Sequence, residues 1–119
     1  MRVLVVDDSK AMRMIVTRSL RQIDLPDLIL EEAATGMEAL RIVNEHIPDL
    51  ILADWNMPGM SGFELLVELK DQGYVGKFGF ITTEASADMR EQASAAGADC
   101  FVTKPFTPDT LSQALEGIL

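Results

Sequence analysis

With 119 residues, 48% of them apolar and 24% charged, the chain has the size and composition of one folded domain, and it is neither disordered nor fibrous in character. Ten Lys and Arg against 19 Asp and Glu leave a net charge of −9, which argues against nucleic acid or an anionic membrane as the resting partner and favours a cation or a basic protein. The single cysteine, Cys100, excludes an internal disulfide and a cysteine metal cluster, so a reducing compartment is expected.

The first predicted strand is Arg2–Val6. Its run Val3-Leu4-Val5-Val6 is far too short for a signal peptide or a membrane span, so the chain is expected to be soluble and cytoplasmic. Asp7 and Asp8 follow, and then a helical stripe at Met12, Val16, Leu20 and Ile23. Pro26 punctuates the approach to a second strand over residues 28–33, and Gly36 and Pro48 bound the helix behind it. The third strand, Leu50–Ala53, runs into Asp54 and a turn at Pro58-Gly59. Gly73 closes the next helix ahead of a fourth strand over residues 78–82. An Ala-rich helical segment ends at Ala96-Gly97, where a left-handed cap is needed. The fifth strand is Cys100–Thr103, and Thr107-Pro108 supplies an N-cap and a first-turn proline for a last helix with its stripe at Leu111, Leu115 and Ile118.

Strict alternation of strand and helix predicts a doubly wound α/β domain over residues 1–119, with five parallel strands and five helices. The first, third and fifth strands are nearly all apolar, as expected for strands covered on both faces. In such a sheet the ligand site lies beyond the carboxyl ends of the strands. Those ends carry Asp7 and Asp8, then Asp54, then Thr82-Thr83, then Lys104-Pro105. Three carboxylates at adjacent strand ends repel unless a cation sits among them, and Mg²⁺ suits such oxygen ligands and is often completed by phosphate. Lys104 and the Thr82 hydroxyl are positioned to hold an anionic group beside that metal, which is what phosphoryl transfer requires.

Other phosphate chemistries lack their cradle. The first turn reads Asp7-Asp8-Ser9-Lys10-Ala11-Met12, with no G-x-G-x-x-G and no P-loop, and two carboxylates there would repel the phosphate of FMN. The lone histidine, His46, cannot build a zinc site or a serine triad and reads as a surface residue.

These residues resemble the response-regulator receiver domain of bacterial two-component signalling, most of all its chemotaxis regulators. The matching stretches run through the chain: Val3 to Ser9, Leu30 to Ala33, Asp54-Trp55-Asn56-Met57-Pro58-Gly59-Met60-Ser61-Gly62, Thr82, and Thr103-Lys104-Pro105-Phe106-Thr107. The resemblance implies the flavodoxin-like strand order 2-1-3-4-5. It also implies that Asp54 accepts a phosphoryl group from a phosphohistidine on a histidine kinase. Asp8 then binds Mg²⁺ directly, Asp7 through water, and Asn56 through its backbone carbonyl, with Asp54 completing the set. Lys104 holds the phosphoryl oxygens, and Lys104-Pro105 is a place for a cis peptide. Thr82 and Phe101 become a switch pair. Relatives carry Tyr or Phe at position 101, and the missing hydroxyl of Phe101 removes any partner contact made through it. Thr83 stands where relatives usually have a small residue, and is expected to narrow access to the phosphoryl site.

Each residue also has a plainer reading. Acids at 7 and 8 suit a helix N-terminus, and Asp54 could simply open a turn. Lys104 alone is a solvated lysine, Thr82 a strand threonine, and Phe101 a core aromatic. Their coincidence at one sheet edge favours the joint reading, and the resemblance then implies a signalling switch rather than an enzyme, with intrinsic phosphotransfer and autodephosphorylation, acting on a downstream protein target. The chain ends at Gly117-Ile118-Leu119, so output is expected through protein binding by the face of the fourth helix, fifth strand and fifth helix. An excised receiver of a longer transcriptional or enzymatic regulator is the alternative, and a Mg²⁺-dependent phosphatase a third, for which no separate acid or base is visible. Two new charge-assisted hydrogen bonds, from Thr82 and Lys104, are worth about 1.5–3 kcal/mol each. A swing from 1:99 to 99:1 needs about 5.5 kcal/mol, so a shifted ensemble completed by the target is expected.

Overall fold

Short apolar runs alternate with amphipathic ones along the chain. In the computed structural model, which describes residues 1–119, these become β1 (Arg2–Val6), α1 (Lys10–Gln22), β2 (Ile29–Ala33), α2 (Gly36–Glu45), β3 (Leu50–Ala53), α3 (Gly62–Asp71), β4 (Lys77–Thr82), α4 (Ala87–Ala95), β5 (Cys100–Thr103) and α5 (Pro108–Glu116). The strands form one parallel sheet in the order β2-β1-β3-β4-β5. Strand order reverses beside β1, so the β1 and β3 ends flank the crevice where such sheets bind ligands.

Period-two alternation divides the apolar side chains between two cores. Val3, Val5, Leu50, Leu52, Ile81 and Val102 face α1 and α5, meeting Val16, Leu20, Leu111 and Leu115. Leu4, Val6, Ile51, Ala53, Phe78 and Phe80 face the opposite layer, meeting Ala39 and Ile42 of α2, Leu65, Leu66 and Leu69 of α3, and Ala93 of α4. Each fully buried Leu or Phe contributes about 1.5–3 kcal/mol of transfer free energy. Together they hold the strand ends in fixed register.

Every helix starts on a hydroxyl cap that accepts a backbone N–H: Ser9, Thr35, Ser61, Ser86 and Thr107. A cap of this kind is worth about 1 kcal/mol. Of the five, only Thr107 stands out in the sequence, because Pro108 follows it. The expected C-terminal cap is present as well, with Gly97 at φ +104°. The Lys104–Pro105 peptide is cis.

Three local expectations need correction. β2 begins at Ile29 and β4 at Lys77, each one residue from the predicted start. Ile23 is the C-cap of α1, its backbone extended, while its side chain still packs against the core that holds Val16 and Leu20; Met12, the first residue of the stripe, stays outside that core. β5 is not buried on both faces: it pairs only with β4, and within it only Val102 is fully buried. An edge strand has one neighbour, and here the helix beside it is weakly anchored, α4 burying Ala93 alone. His46 is exposed at the end of α2, as a surface residue should be. No helix is long and apolar enough to cross a membrane.

Cys100 gives a pH dependence with a defined sign. Burial first, and then Asp99, push its thiol up from 9.0 to about 11. A folded-state value above the unfolded one means that this stability is fully present below pH 9 and is lost as pH rises through 11. Tyr74 is displaced in the same direction by burial. Urea midpoints measured between pH 8 and about 11 are therefore expected to fall, and to fall less in Cys100→Ser, which has no thiol to ionise. Equal losses in the two proteins would contradict this account.

Candidate functional site

The site is assembled by the ladder extending one residue past each central strand. Val6 pairs with Ala53, so Asp7 and Asp54 emerge side by side. The Asp54 N–H donates to the Val6 carbonyl at 3.0 Å, and the Asp7 N–H to the Ala33 carbonyl at 3.1 Å. From the far side, Lys104 is tethered by its own N–H to the Thr82 carbonyl at 2.9 Å. Its ammonium reaches back across β4 and β3 to Asp7 Oδ2 at 3.1 Å and Asp54 Oδ2 at 3.4 Å. These three side chains are only 9%, 6% and 14% exposed, so their charges interact with little solvent screening.

Asp8 joins them, with carboxylate oxygens of Asp7, Asp8 and Asp54 all within 4.8 Å of one another. Three carboxylates against one ammonium leave two negative charges, the charge of one divalent cation. A second observation points the same way. Asp54 Oδ1 is buried and has no hydrogen-bond partner, a costly state for a carboxylate oxygen. An all-oxygen donor set with one unsatisfied oxygen fits a hard cation such as Mg²⁺.

The individual acids are placed differently. Asp7 is fully engaged: its Oδ1 accepts the Ser9 N–H at 2.9 Å, and its carbonyl accepts the Arg13 guanidinium at 2.7 Å. Asp8 is exposed at the mouth, and Ser9, not either acid, caps α1. The Asn56 carbonyl accepts no backbone hydrogen bond, while its side-chain amide donates to Glu84 Oε1 at 3.0 Å, tying the loop after β3 to the loop after β4. Gly62 lets the first of these loops close. A Cβ there would lie 2.0 Å from the Asp54 carbonyl oxygen, and the Gly62 N–H donates to the Trp55 carbonyl at 2.8 Å.

Thr82 is fully buried, but its hydroxyl is not joined to the carboxylates. It accepts the Glu84 N–H at 3.4 Å. Thr83 is exposed and lines a groove of about 400 Å³ with Met12, Ile15, Lys104, Pro105 and Phe106. Phe101 is half-buried and pairs with Phe80 across β4 and β5, their ring centroids 5.9 Å apart. Trp55, next to Asp54, packs on Phe63, Phe80 and Phe101 at 5.2, 4.8 and 6.4 Å. The structure thus brings Asp7, Asp8, Asp54 and Lys104 together, ties Asn56 to Glu84, gives the Thr82 hydroxyl no hydrogen bond to the carboxylates, and seats Phe101 against Phe80 and Trp55.

Sequence reasoning missed Arg13 and Glu84, and it placed Gly62 in the matching stretch after Asp54 without reading its part in closing that loop. Arg13 lies one helical turn beyond the Ser9 cap, a signal that could have placed it over the Asp7 backbone. Nothing local pairs Asn56 with Glu84, 28 residues away.

Comparison with known proteins identifies the family and the fold. The sequence profile of the family described as "Response regulator receiver domain" matches residues 3–116. Chemotaxis protein CheY-3 of Vibrio cholerae is 35% identical over 120 residues, covering 99% of this chain and 91% of its own length. Chemotaxis protein CheY of Pseudomonas aeruginosa is 36% identical, covering 99% and 95%. Among solved structures, Vibrio cholerae chemotaxis protein CheY4 superposes with a TM-score of 0.89 at 35% identity, covering 99% of this chain and 98% of that one. A family match through the whole sheet, relatives alike over nearly their full lengths, and acids and a lysine gathered at the strand ends make this chain a member of the response-regulator receiver domain family and a homologue of the CheY chemotaxis regulators.

Proposed function

We propose that residues 1–119 act as one receiver domain in the cytoplasm, with Asp54 as phosphoryl acceptor. The reading is carried by one observation: a lysine ammonium held between two buried carboxylates, one of which keeps an unpartnered oxygen. In the transfer, a carboxylate oxygen of Asp54 attacks the phosphorus of a phosphohistidine on a histidine kinase. The new P–O bond forms as the P–N bond breaks, and the electron pair leaves with the imidazole nitrogen, which takes up a proton. Autodephosphorylation is attack by water on the same phosphorus, returning inorganic phosphate and the Asp54 carboxylate. No outside substrate is turned over, so the protein is a switch rather than an enzyme.

Asp8, Asp54 and the Asn56 carbonyl would hold Mg²⁺ in this reading, with Asp7, already committed to Ser9 and Lys104, in a supporting place. The metal supplies charge neutralisation for the phosphoryl oxygens. Lys104 turns from the carboxylates to those oxygens, and the Thr82 hydroxyl, whose oxygen accepts the Glu84 N–H, turns its own O–H to donate to one of them. Thr82 lies on the same face of β4 as Phe80, so the space its hydroxyl leaves is the space into which Phe101 moves. The consequence is read on the α4-β5-α5 face by a downstream protein target, as the homology to chemotaxis regulators supports.

Trp55 reports both steps. Titrating Mg²⁺ and then a small phosphodonor is expected to perturb its fluorescence twice, and intact mass spectrometry should find one added phosphoryl group. A protein that ignores Mg²⁺ and takes no label refutes the reading. Thr83, at the mouth beside Lys104, is expected to slow access: Thr83→Ala should speed phosphorylation, dephosphorylation or both, and unchanged rates would remove it from the mechanism.

A further inference from the structure

The aromatic cluster behind the site has one cationic neighbour, contributed by another element. The guanidinium carbon of Arg90, on α4, lies 4.7 Å from the centroid of the Phe101 ring. Arg90 belongs to none of the ion pairs in the chain, so the ring is its charged group's one defined contact. α4 buries only Ala93, which makes the Arg90–Phe101 stack one of few ties between this helix and the sheet edge.

Position 101 carries a side chain with no polar handle. A half-exposed phenyl ring gains by burying more of its surface, and nothing on the ring itself favours an outer position. Its inner neighbours, Phe80 and Trp55, are already within 5.9 and 6.4 Å. A cation over the ring face offsets that inward bias.

Resting on the reading that Phe101 moves inward when Asp54 carries a phosphoryl group, we infer that Arg90 is a positioning residue. It holds Phe101 in its outer place and so sets the affinity of the phosphoryl site. Whatever stabilises the outer ring by a given factor weakens the phosphoryl-bound state by up to the same factor, the full amount being reached where the outer ring dominates the apo ensemble. An exposed cation–π contact corresponds to about a two- to five-fold effect on that equilibrium.

The test uses beryllofluoride as the phosphoryl probe, at saturating Mg²⁺, with Trp55 fluorescence as the readout. Arg90→Gln is expected to tighten apparent beryllofluoride binding about two- to five-fold, and Arg90→Lys to fall between it and the parent. In a Phe101→Leu background, Arg90→Gln should have no effect, since the ring is gone. Thermal melts should show all of these variants folded. If Arg90→Gln weakens binding, the guanidinium acts as a general positive charge on the anion and the inference is overturned. The same follows if the tightening persists in Phe101→Leu, or if affinity does not change. A parent protein that binds no beryllofluoride at all overturns the acceptor reading itself, and this inference with it.

Discussion

Replacing Asp54 by Asn is expected to abolish phosphoryl labelling while leaving the protein at least as stable as before. The amide has the shape of the carboxylate and still accepts from Lys104, so the packing behind it is undisturbed. Its nitrogen and neutral oxygen cannot form the acyl phosphate. In Mg²⁺-free buffer the variant should melt higher, because the parent holds three close carboxylates against a single ammonium. Active sites commonly hold this kind of unrelieved strain in their apo state. The Mg²⁺-dependent gain should shrink correspondingly. A cation at a hundred times its dissociation constant adds about 2.7 kcal/mol to the parent, and a site with one carboxylate fewer binds it less tightly. Melts with and without Mg²⁺, beside intact mass spectra after phosphodonor treatment, measure both halves. Labelling retained in Asp54→Asn would place the acceptor elsewhere.

Lys104→Met should produce the opposite pattern in stability and a large loss in chemistry. Removing the ammonium leaves Asp7 and Asp54 buried and facing each other with no positive partner. Breaking one side of a buried ion pair costs about 3–5 kcal/mol, and the low exposure of all three side chains puts this site in that regime. Mg²⁺ should recover much of the loss and bind more tightly than in the parent, since it then meets the carboxylates without competition. Phosphorylation should nonetheless slow by about 10²–10³-fold, the usual penalty for removing one preorganised donor to a developing anion. The two readouts separate the roles of Lys104: metal rescue of folding without rescue of rate means that the ammonium acts on the phosphoryl group itself. A variant labelled at the parental rate would reduce Lys104 to a structural counter-ion.

The two predictions move in different directions because the apo site is a compromise. Lys104 is shared between neutralising the carboxylates and waiting for an anion. Lys104 has to leave carboxylates at 3.1 and 3.4 Å to meet a phosphoryl oxygen, so its new bond is an exchange rather than a pure gain. That lowers the net driving force below the sum of two isolated hydrogen bonds and strengthens the expectation of a shifted ensemble that a target completes. A ring at position 101 held outward by Arg90 shifts the starting point of the same balance.

The sequence by itself determined the alternation of strands and helices, the apolar strands at the centre, and the identity of the groups at each carboxyl end. Those features are local: periodicity, caps and punctuating Gly and Pro act within a few residues, and a parallel sheet then directs its strand ends to one edge. Only the tertiary structure decided the distances. Lys104 meets residues 97 and 50 positions away, and Asn56 meets Glu84 across two loops, contacts set by strand order and by which side chains fill the space between. The same packing left Asp54 Oδ1 without a partner, turned the Thr82 hydroxyl toward a backbone N–H, and exposed part of β5 because the fifth strand has one neighbour. Residue type says what a side chain offers; the close-packed arrangement of the whole chain says which of those offers is already taken.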